Sequence, residues 1–365
     1  MTFIRYINWA ACILAGYALM ALISSLLSRI KNKWVKVLIF IIKFILLTAL
    51  AFEMIADASP FLWKFAYPLM GIYVGLLSDW ICDIVMFLLS FTKKEQKKGF
   101  RAVLLAVIVL IMGVYGTVTS QMIREDHLSY SSGKLSTDHR FVYLSDLHYG
   151  SSQTKESFEK ALAKINSSSA EFVLLGGDIC DEHTEKEEMK WVFEQLGSLD
   201  MPVYYIYGNH DRQDRGSYVG GKKYTEEEFE KAITDSGVII LKDGFVSFGD
   251  DLVLLGREDS SRKDRLAADD LPLRPEGKYV ICVDHSPYQN DDIKAAGADL
   301  QLSGHTHAGQ IFPIRWLYTL ARLNVVYSYR IGTTDLYVSP GIGNWYYPFR
   351  NETHCSFAVI DLIKE

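Results

Sequence analysis

Residues 140–150 read Arg-Phe-Val-Tyr-Leu-Ser-Asp-Leu-His-Tyr-Gly. Phe141–Leu144 is a short β-branched and aromatic run, the pattern of a buried strand. It gives way at once to Ser145-Asp146-Leu147-His148, so a carboxylate and an imidazole stand just past a strand end. The arrangement recurs along the chain. Gly176-Gly177-Asp178 follows Phe172–Leu175, and Gly208-Asn209-His210-Asp211 follows Val203–Tyr207. His285 follows Tyr279–Val283, and Gly304-His305-Thr306-His307 closes the series. Leu252–Leu255 is a further apolar run. Helical spacing appears between the strands at Phe158, Ala161, Leu162 and Ile165, again at Met189, Val192, Phe193 and Leu196, and at Phe229, Ala232 and Ile233. Strand, helix, strand in repetition predicts an α/β core with largely parallel pairing. In such sheets ligands gather beyond the carboxyl ends of the strands, which is where these motifs fall.

The residue types point to a metal. Carboxylate, amide oxygen and imidazole suit a hard or borderline divalent ion, and five of the nine histidines lie in these motifs. Asp146 and His148, like His305 and His307, are two apart, so in extended backbone both side chains of a pair face one way. Two glycines before Asp178 let the chain turn tightly there. Taken singly, Gly-Gly-Asp is a turn and Asn-His-Asp a helix cap; the order and the strand contexts carry the inference. The five cysteines are scattered with no C-x-x-C, so neither a disulfide framework nor sulfur-bound zinc is expected. A net charge of −6 gives no support for nucleic-acid binding.

The first third differs in kind. A bilayer core about 30 Å thick takes roughly 20 apolar residues per helix. Four segments qualify, Ile7–Leu27, Val35–Ile55, Phe65–Leu89 and Ala102–Val118, so residues 1–119 are expected to form a bundle of about four transmembrane helices. Lys43, Asp79 and Asp83 lie inside these segments, and pairing among them is the simplest reading. Arg29, Lys31, Lys33 and Lys36 cluster between spans one and two. Lys93, Lys94, Lys97, Lys98 and Arg101 cluster between spans three and four. The connection between spans two and three carries Glu53, Asp57 and Lys64. The positive-inside rule then puts both basic loops in the cytoplasm and the rest of the chain on the extracytoplasmic side of a cell membrane. Residues 120–139 are polar and read as a linker, with His127 and His139 on its surface; residues 140–365 form the globular part. Leu336–Val338 and Ser356–Ile363 read as two closing strands joined by a Gly-rich bend.

The set D-x-H, G-D-x-x-D, G-N-H-D, a lone His and G-H-x-H resembles the calcineurin-like metallophosphoesterase superfamily over roughly residues 140–365. Gly304–Gln310 with Ser339-Pro340-Gly341-Ile342-Gly343, preceded by apolar helices, is similar to its membrane-associated bacterial branch typified by YkuE and YaeI. The resemblance implies a four-layer αββα sandwich and two divalent metal ions, of Mn, Fe or Zn. It implies Asp146, His148 and His307 on one ion, Asn209, His285 and His305 on the other, and Asp178 bridging both. His210 would act on the phosphoryl group or the leaving oxygen, Asp181 would orient His210, and Asp211 would support from behind. His285 precedes Ser286-Pro287 and fits the lone position better than His183, which lies in a charged run; His354 matches no motif. The implied activity is phosphoester hydrolysis, on a phosphodiester or pyrophosphate of a lipid or envelope molecule. Phosphomonoester hydrolysis, or a non-catalytic membrane sensor, are the alternatives. Gly256–Arg262, with Arg257, Lys263 and Arg265, is a solvated loop or a phosphate-binding lip. The stretch holding Trp316, Tyr318, Arg322 and Tyr327 rests on the membrane or packs on the core.

Overall fold

The computed structural model describes residues 3–55, 60–92, 99–151, 153–271, 277–288, 297–323 and 326–365. Asp57, Lys93, Lys94, Lys97 and Lys98, which bear on the orientation argument, lie outside them. Four long helices come first: α1 (Phe3–Leu27), α2 (Lys33–Ile55), α3 (Pro60–Ser90) and α4 (Phe100–Gln121). All four are long and apolar enough to cross a membrane. Their outward faces carry exposed Leu14, Ile41, Ile45, Leu110 and Ile111, which suits hydrocarbon rather than water.

Two devices hold the bundle. Where α1 crosses α3, a Cβ on Gly71 would fall 2.1 Å from the Cys12 carbonyl oxygen, and one on Gly75 2.6 Å from that of Gly16. This Gly-x-x-x-Gly face lets the backbones touch, the usual source of helix affinity in lipid. Lower in the bundle, Lys43 Nζ lies 2.6 Å from Asp79 and 2.5 Å from Asp83, and Arg101 reaches both carboxylates at 2.7 Å. Two cations against two anions leave the cluster neutral, so the expected pairing of Lys43 is found with Arg101 added to it.

The remainder contains two six-stranded mixed sheets. The first, in order β1-β12-β2-β3-β4-β5, is built from β1 (Ile123–Ser132), β12 (Cys355–Lys364), β2 (His139–Leu144), β3 (Phe172–Leu175), β4 (Val203–Tyr205) and β5 (Ile239–Ile240). The second, in order β10-β11-β9-β8-β7-β6, is built from β10 (Tyr327–Ile331), β11 (Thr334–Val338), β9 (Leu300–Ser303), β8 (Tyr279–Val283), β7 (Leu252–Gly256) and β6 (Gly244–Phe248). The pairs β2–β3–β4 and β7–β8–β9 are parallel, as the alternating pattern predicts.

Alternation along each strand builds the layers. Phe141, Tyr143, Phe172 and Leu174 point inward and share a core with Leu252, Leu254, Ile281 and Leu300 of the other sheet. Val142, Leu144, Val173 and Leu175 point outward beneath α5 (Lys155–Asn166), α6 (Lys186–Gly197) and α7 (Glu226–Asp235). The opposite outer face, Val253, Leu255, Val280 and Cys282, packs on Leu271 and Ala298. The helix layer expected over that face falls partly on residues 272–276 and 289–296, outside the described residues.

Two expectations are corrected. Residues 120–139 are no linker: Ile123–Ser132 is an edge strand paired in parallel with β12 over its whole length. A strand with one wet edge and a half-exposed face alternates polar residues and so reads as loop. His139 is buried rather than solvated, lying 3.1 Å from both Glu171 and Asp251, whereas His127 is exposed. The closing strands β11 and β12 form, but in different sheets. The globular part is also docked onto the helices. Phe349 packs on Gly116 and on Trp9, Arg350 N donates to Gly116 O at 3.0 Å, and Tyr73 Oη donates to Phe312 O at 2.6 Å.

Candidate metal centre

Each site motif leaves the carboxyl end of a parallel strand: Asp146 after β2, Asp178 after β3, Asn209 after β4, His285 after β8 and His305 after β9. Both sheets therefore contribute, and backbone bonds lace the loops together. His148 N donates to Asp178 O at 3.0 Å, and His305 N crosses between sheets to Asp146 Oδ1 at 2.8 Å. The Asp211 carboxylate accepts from the amides of Asp178, Cys180 and Gly208 at 2.8–3.0 Å, clamping two loops from behind. Asp146, His148, Asp178, His305 and His307 all adopt positive φ, between 45° and 70°. Such backbone costs on the order of 1 kcal/mol per residue and persists where the surroundings impose it. Gly304 is required by closeness alone, since a Cβ there would lie 2.1 Å from Asp146 Oδ2.

Asp146, His148 and His307 form one group and Asp178, His285 and His305 another, with the ligand atoms of each within 4.8 Å of one another. Asn209 Oδ1 is 2.9 Å from His305 Nδ1, which adds it to the second group. Asp178 Oδ2 stands between the groups, 3.0 Å from His285 Nε2 and 3.7 Å from His148 Nε2. All seven residues singled out as metal ligands are thus brought to one place.

The donor chemistry fits cations. His148 Nε2 and His307 Nε2 face each other at 3.1 Å, deep in the protein, and His307 Nε2 also lies 3.6 Å from Asp146 Oδ1, so imidazole and carboxylate donors converge on one point. His285 Nδ1 donates to Gly176 O at 2.8 Å, which turns the buried Nε2 into the site, 3.0 Å from Asp178 Oδ2. Burial and the neighbouring His148 push His307 well below the usual histidine range, so it is neutral and able to ligate. Burial opposes the charge on Asp178, but His285 and His210 outweigh it and hold the carboxyl ionised.

Beside the groups, His210 is buried with its ring 4.5 Å from that of Trp345. Its Nδ1 lies 2.9 Å from Glu182 Oε2. Burial disfavours the imidazolium, yet Glu182, then Asp178 and Asp181, more than compensate and raise His210 to about 10. The carboxylate holding His210 is therefore Glu182, and the expectation that Asp181 does so is corrected. Asp181 accepts from Ser151 and from His183 N and lies 3.6 Å from His148 Nδ1. Neighbours in sequence point opposite ways in this extended turn, which periodicity cannot reveal. Neither reading of Gly256–Arg262 holds at its start: Arg257, Glu258 and Asp259 are buried rather than solvated, and Arg257 is paired with Asp243 while Arg265 is held by Asp284, so neither arginine is offered as a phosphate-binding lip.

Several residues at the site carry no sequence signal. Arg350 is fully buried and donates to Pro340 O, Gly343 O, His354 O and Thr353 Oγ1 at 2.9–3.0 Å, and to His307 O at 3.3 Å. It fixes the loop under His307. Trp345 and Glu182 likewise belong to no motif. Of the other histidines, His183 packs on Tyr346 and His354 lies 3.3 Å from Asp126. The site opens into a cleft whose walls include Tyr288, Tyr318, Trp345 and Ile55, the last residue of α2.

The calcineurin-like phosphoesterase family profile matches residues 139–309. An uncharacterised metallophosphoesterase of Helicobacter pylori is similar in two strains. It is 32% identical in strain 26695, with 74% of this chain and 71% of the relative covered. In strain J99 it is 34% identical, and the alignment covers 63% of this chain and 61% of the relative, under two thirds of its length. YkuE of Bacillus subtilis, an uncharacterised metallophosphoesterase, is 27% identical over 58% of this chain and 74% of its own. A zebrafish transmembrane protein with metallophosphoesterase domain is 26% identical over 69% of this chain and 60% of its own. Five motifs in family order, two His/Asp groups closed around one point and these alignments agree, and the chain belongs to the calcineurin-like phosphoesterase family, in the branch that contains YkuE.

Proposed function

We propose that this protein is a membrane-tethered, metal-dependent phosphoesterase that cleaves a phosphodiester or pyrophosphate of a lipid or cell-envelope molecule on the extracytoplasmic side. The observation carrying this reading is the pair of adjoining groups, Asp146–His148–His307 and Asp178–His285–His305, beside a buried His210. In this reading Asn209 completes the second group and Asp178 serves both. Two bound divalent ions, of Mn, Fe or Zn, supply Lewis acidity to the phosphoryl oxygens and a water acidic enough to attack near neutral pH.

The chain's own residues do the rest. Attack by water forms a bond to phosphorus as the bond to the leaving oxygen breaks, and that oxygen needs a proton. His210, cationic beside Glu182 and packed at a tilt against Trp345, holds a proton on Nε2 for transfer to the leaving oxygen or for bonding to the phosphoryl group. Asp181 steadies His148, and Asp211 keeps the loops of Asp178 and Asn209 in register. The basic residues at positions 29, 31, 33 and 36, and at 93, 94, 97 and 98, support the outward orientation.

The test uses the full chain in detergent with added Mn²⁺, comparing bis(p-nitrophenyl) phosphate with p-nitrophenyl phosphate. Faster hydrolysis of the diester is expected. Preference for the monoester would make it a phosphomonoesterase, and metal-loaded protein inert on both would sink the catalytic reading in favour of a sensor. Elemental analysis of natively expressed protein identifies the ions. Protease accessibility of residues 140–365 in sealed cells checks the orientation.

A further inference from the structure

We propose that the substrate's phosphoester is carried on a long apolar chain, and that it enters the site sideways from the bilayer, between the end of α2 and helix α8 (Ile314–Leu320). This rests on the phosphoesterase reading and names the kind of substrate that the site takes.

The first observation is the make-up of the cleft. Its floor is His148, Asp178, His210, His305 and His307, whereas its walls include Ile55 with Tyr288, Tyr318 and Trp345. Ile55 is the terminal residue of a helix long and apolar enough to span a membrane. The walls are thus aliphatic and aromatic on the side where a membrane helix ends. Each methylene of an attached chain placed against such a wall adds to affinity, and the exposed apolar surface beyond it extends that gain with chain length.

The second observation is the depth of α8. The rings of Phe312 and Trp316 both lie 6.4 Å from Phe44 of α2, and Phe312 lies 6.2 Å from Trp80 of α3. At 1.5 Å per residue, Phe44 sits about 16 Å along α2 from Ile55. Ile311 and Ile314 are buried in the same cluster as Leu47, Met70 and Tyr73 of the spans. The start of α8 is therefore sunk among the membrane helices well below the mouth of the cleft. The expectation that this stretch rests on the membrane or packs on the core resolves into packing on the helix bundle.

The third observation is what α8 leaves uncovered. Trp316 is 50% exposed, Leu320 66% and Leu323 50%, and Tyr288 at the cleft mouth is 60% exposed. Ile41, Ile45 and Phe52 are exposed along α2. The aromatic contact of Trp316 with Phe44 makes the two surfaces one, running from hydrocarbon depth to Ile55. Because one part of this surface belongs to a membrane span, its occupant is lipid. A phosphoester seated over Asp178 would direct an attached chain past Ile55 and Tyr318 onto that surface.

Two p-nitrophenyl alkyl phosphodiesters, one ethyl and one hexadecyl, test this with the full chain in mixed micelles, since only the chain differs. The kcat/KM for the hexadecyl diester is expected to exceed that for the ethyl diester by about tenfold or more. Ile55→Ser and Trp316→Ser should each shrink that ratio about fivefold. A ratio near one in the parent protein, or one that neither substitution moves, overturns the proposal. An independent arm needs no turnover: a hexadecylphosphonate bearing a terminal diazirine is photo-crosslinked in nanodiscs. Labelling of α2 or α8 peptides, competed by excess hexadecylphosphonate, supports the route, and labelling confined to other peptides overturns it. Crosslinking at α2 or α8 in a protein that hydrolyses neither diester would instead discard the phosphoesterase reading while retaining the binding route.

Discussion

The Glu182–His210 contact makes the sharpest prediction. Glu182 is fully buried, its Oε2 lies 2.9 Å from His210 Nδ1, and Trp345 covers the ring. Replacing Glu182 with Gln keeps the shape and an acceptor but removes the charge. A hydrogen bond to a charged group contributes about 1.5–3 kcal/mol. At 1.36 kcal/mol per tenfold, kcat for bis(p-nitrophenyl) phosphate should fall about 10- to 150-fold. His210 is not among the residues grouped as metal ligands, so metal content measured by elemental analysis should stay at the parent level. Asp181→Asn supplies the contrast. Asp181 faces His148, so this variant should lose metal first and turnover in consequence. The reasoning is refuted if Glu182→Gln keeps kcat within about twofold of the parent. Loss of turnover with full metal in Asp181→Asn would give the orienting role back to Asp181.

Three further outcomes are expected. Arg350→Met leaves buried carbonyl oxygens of Pro340, Gly343 and His354 without their donor, at about 1–3 kcal/mol each, so thermal melts in detergent should show marked destabilisation; an unchanged Tm would mean water replaces the guanidinium. Gly75→Leu forces a side chain against Gly16 O and should separate α1 from α3, read as a lower Tm and faster proteolysis between the helices, whereas Gly99→Ala, which meets nothing nearby, should cost only on the order of 1 kcal/mol for its left-handed φ and leave proteolysis between α1 and α3 unchanged. Asp251 accepts from Ser136 N and Oγ at 2.6 Å and from His139 at 3.1 Å, and although burial works the other way these partners lower it from 3.8 to about 2. A depressed carboxyl stabilises above its unfolded pKa, so the advantage of the parent over Asp251→Asn should be full above about pH 4 and fade as pH falls through 2; a constant difference from pH 6 to 2 would contradict it.

The site was legible because candidate metal ligands at strand ends have a local signature. Asp146 and His148 directly follow the apolar run of β2, and His305 and His307 follow β9, so chemistry and position coincide within a few residues. The four apolar helices were equally legible, since their length and composition are local properties. Strand β1 was not, because Ile123–Ser132 is defined by pairing with β12 more than two hundred residues away. The Gly71-x-x-x-Gly75 crossing likewise acquires meaning only when α1 lies against it.

Sequence alone determined the ligand chemistry, the α/β alternation and the membrane-length helices, because each depends on residue type and on spacing within a few turns or strands. Tertiary structure decided which carboxylate holds His210, since Asp181 and Glu182 are neighbours whose side chains diverge into different surroundings. It also decided what lies over the motif at 145–148. Bringing Ile55 and Tyr318 to one cleft needs a chain reversal across more than 250 residues. No local pattern encodes that distance; only the packing of α8 against the helices does.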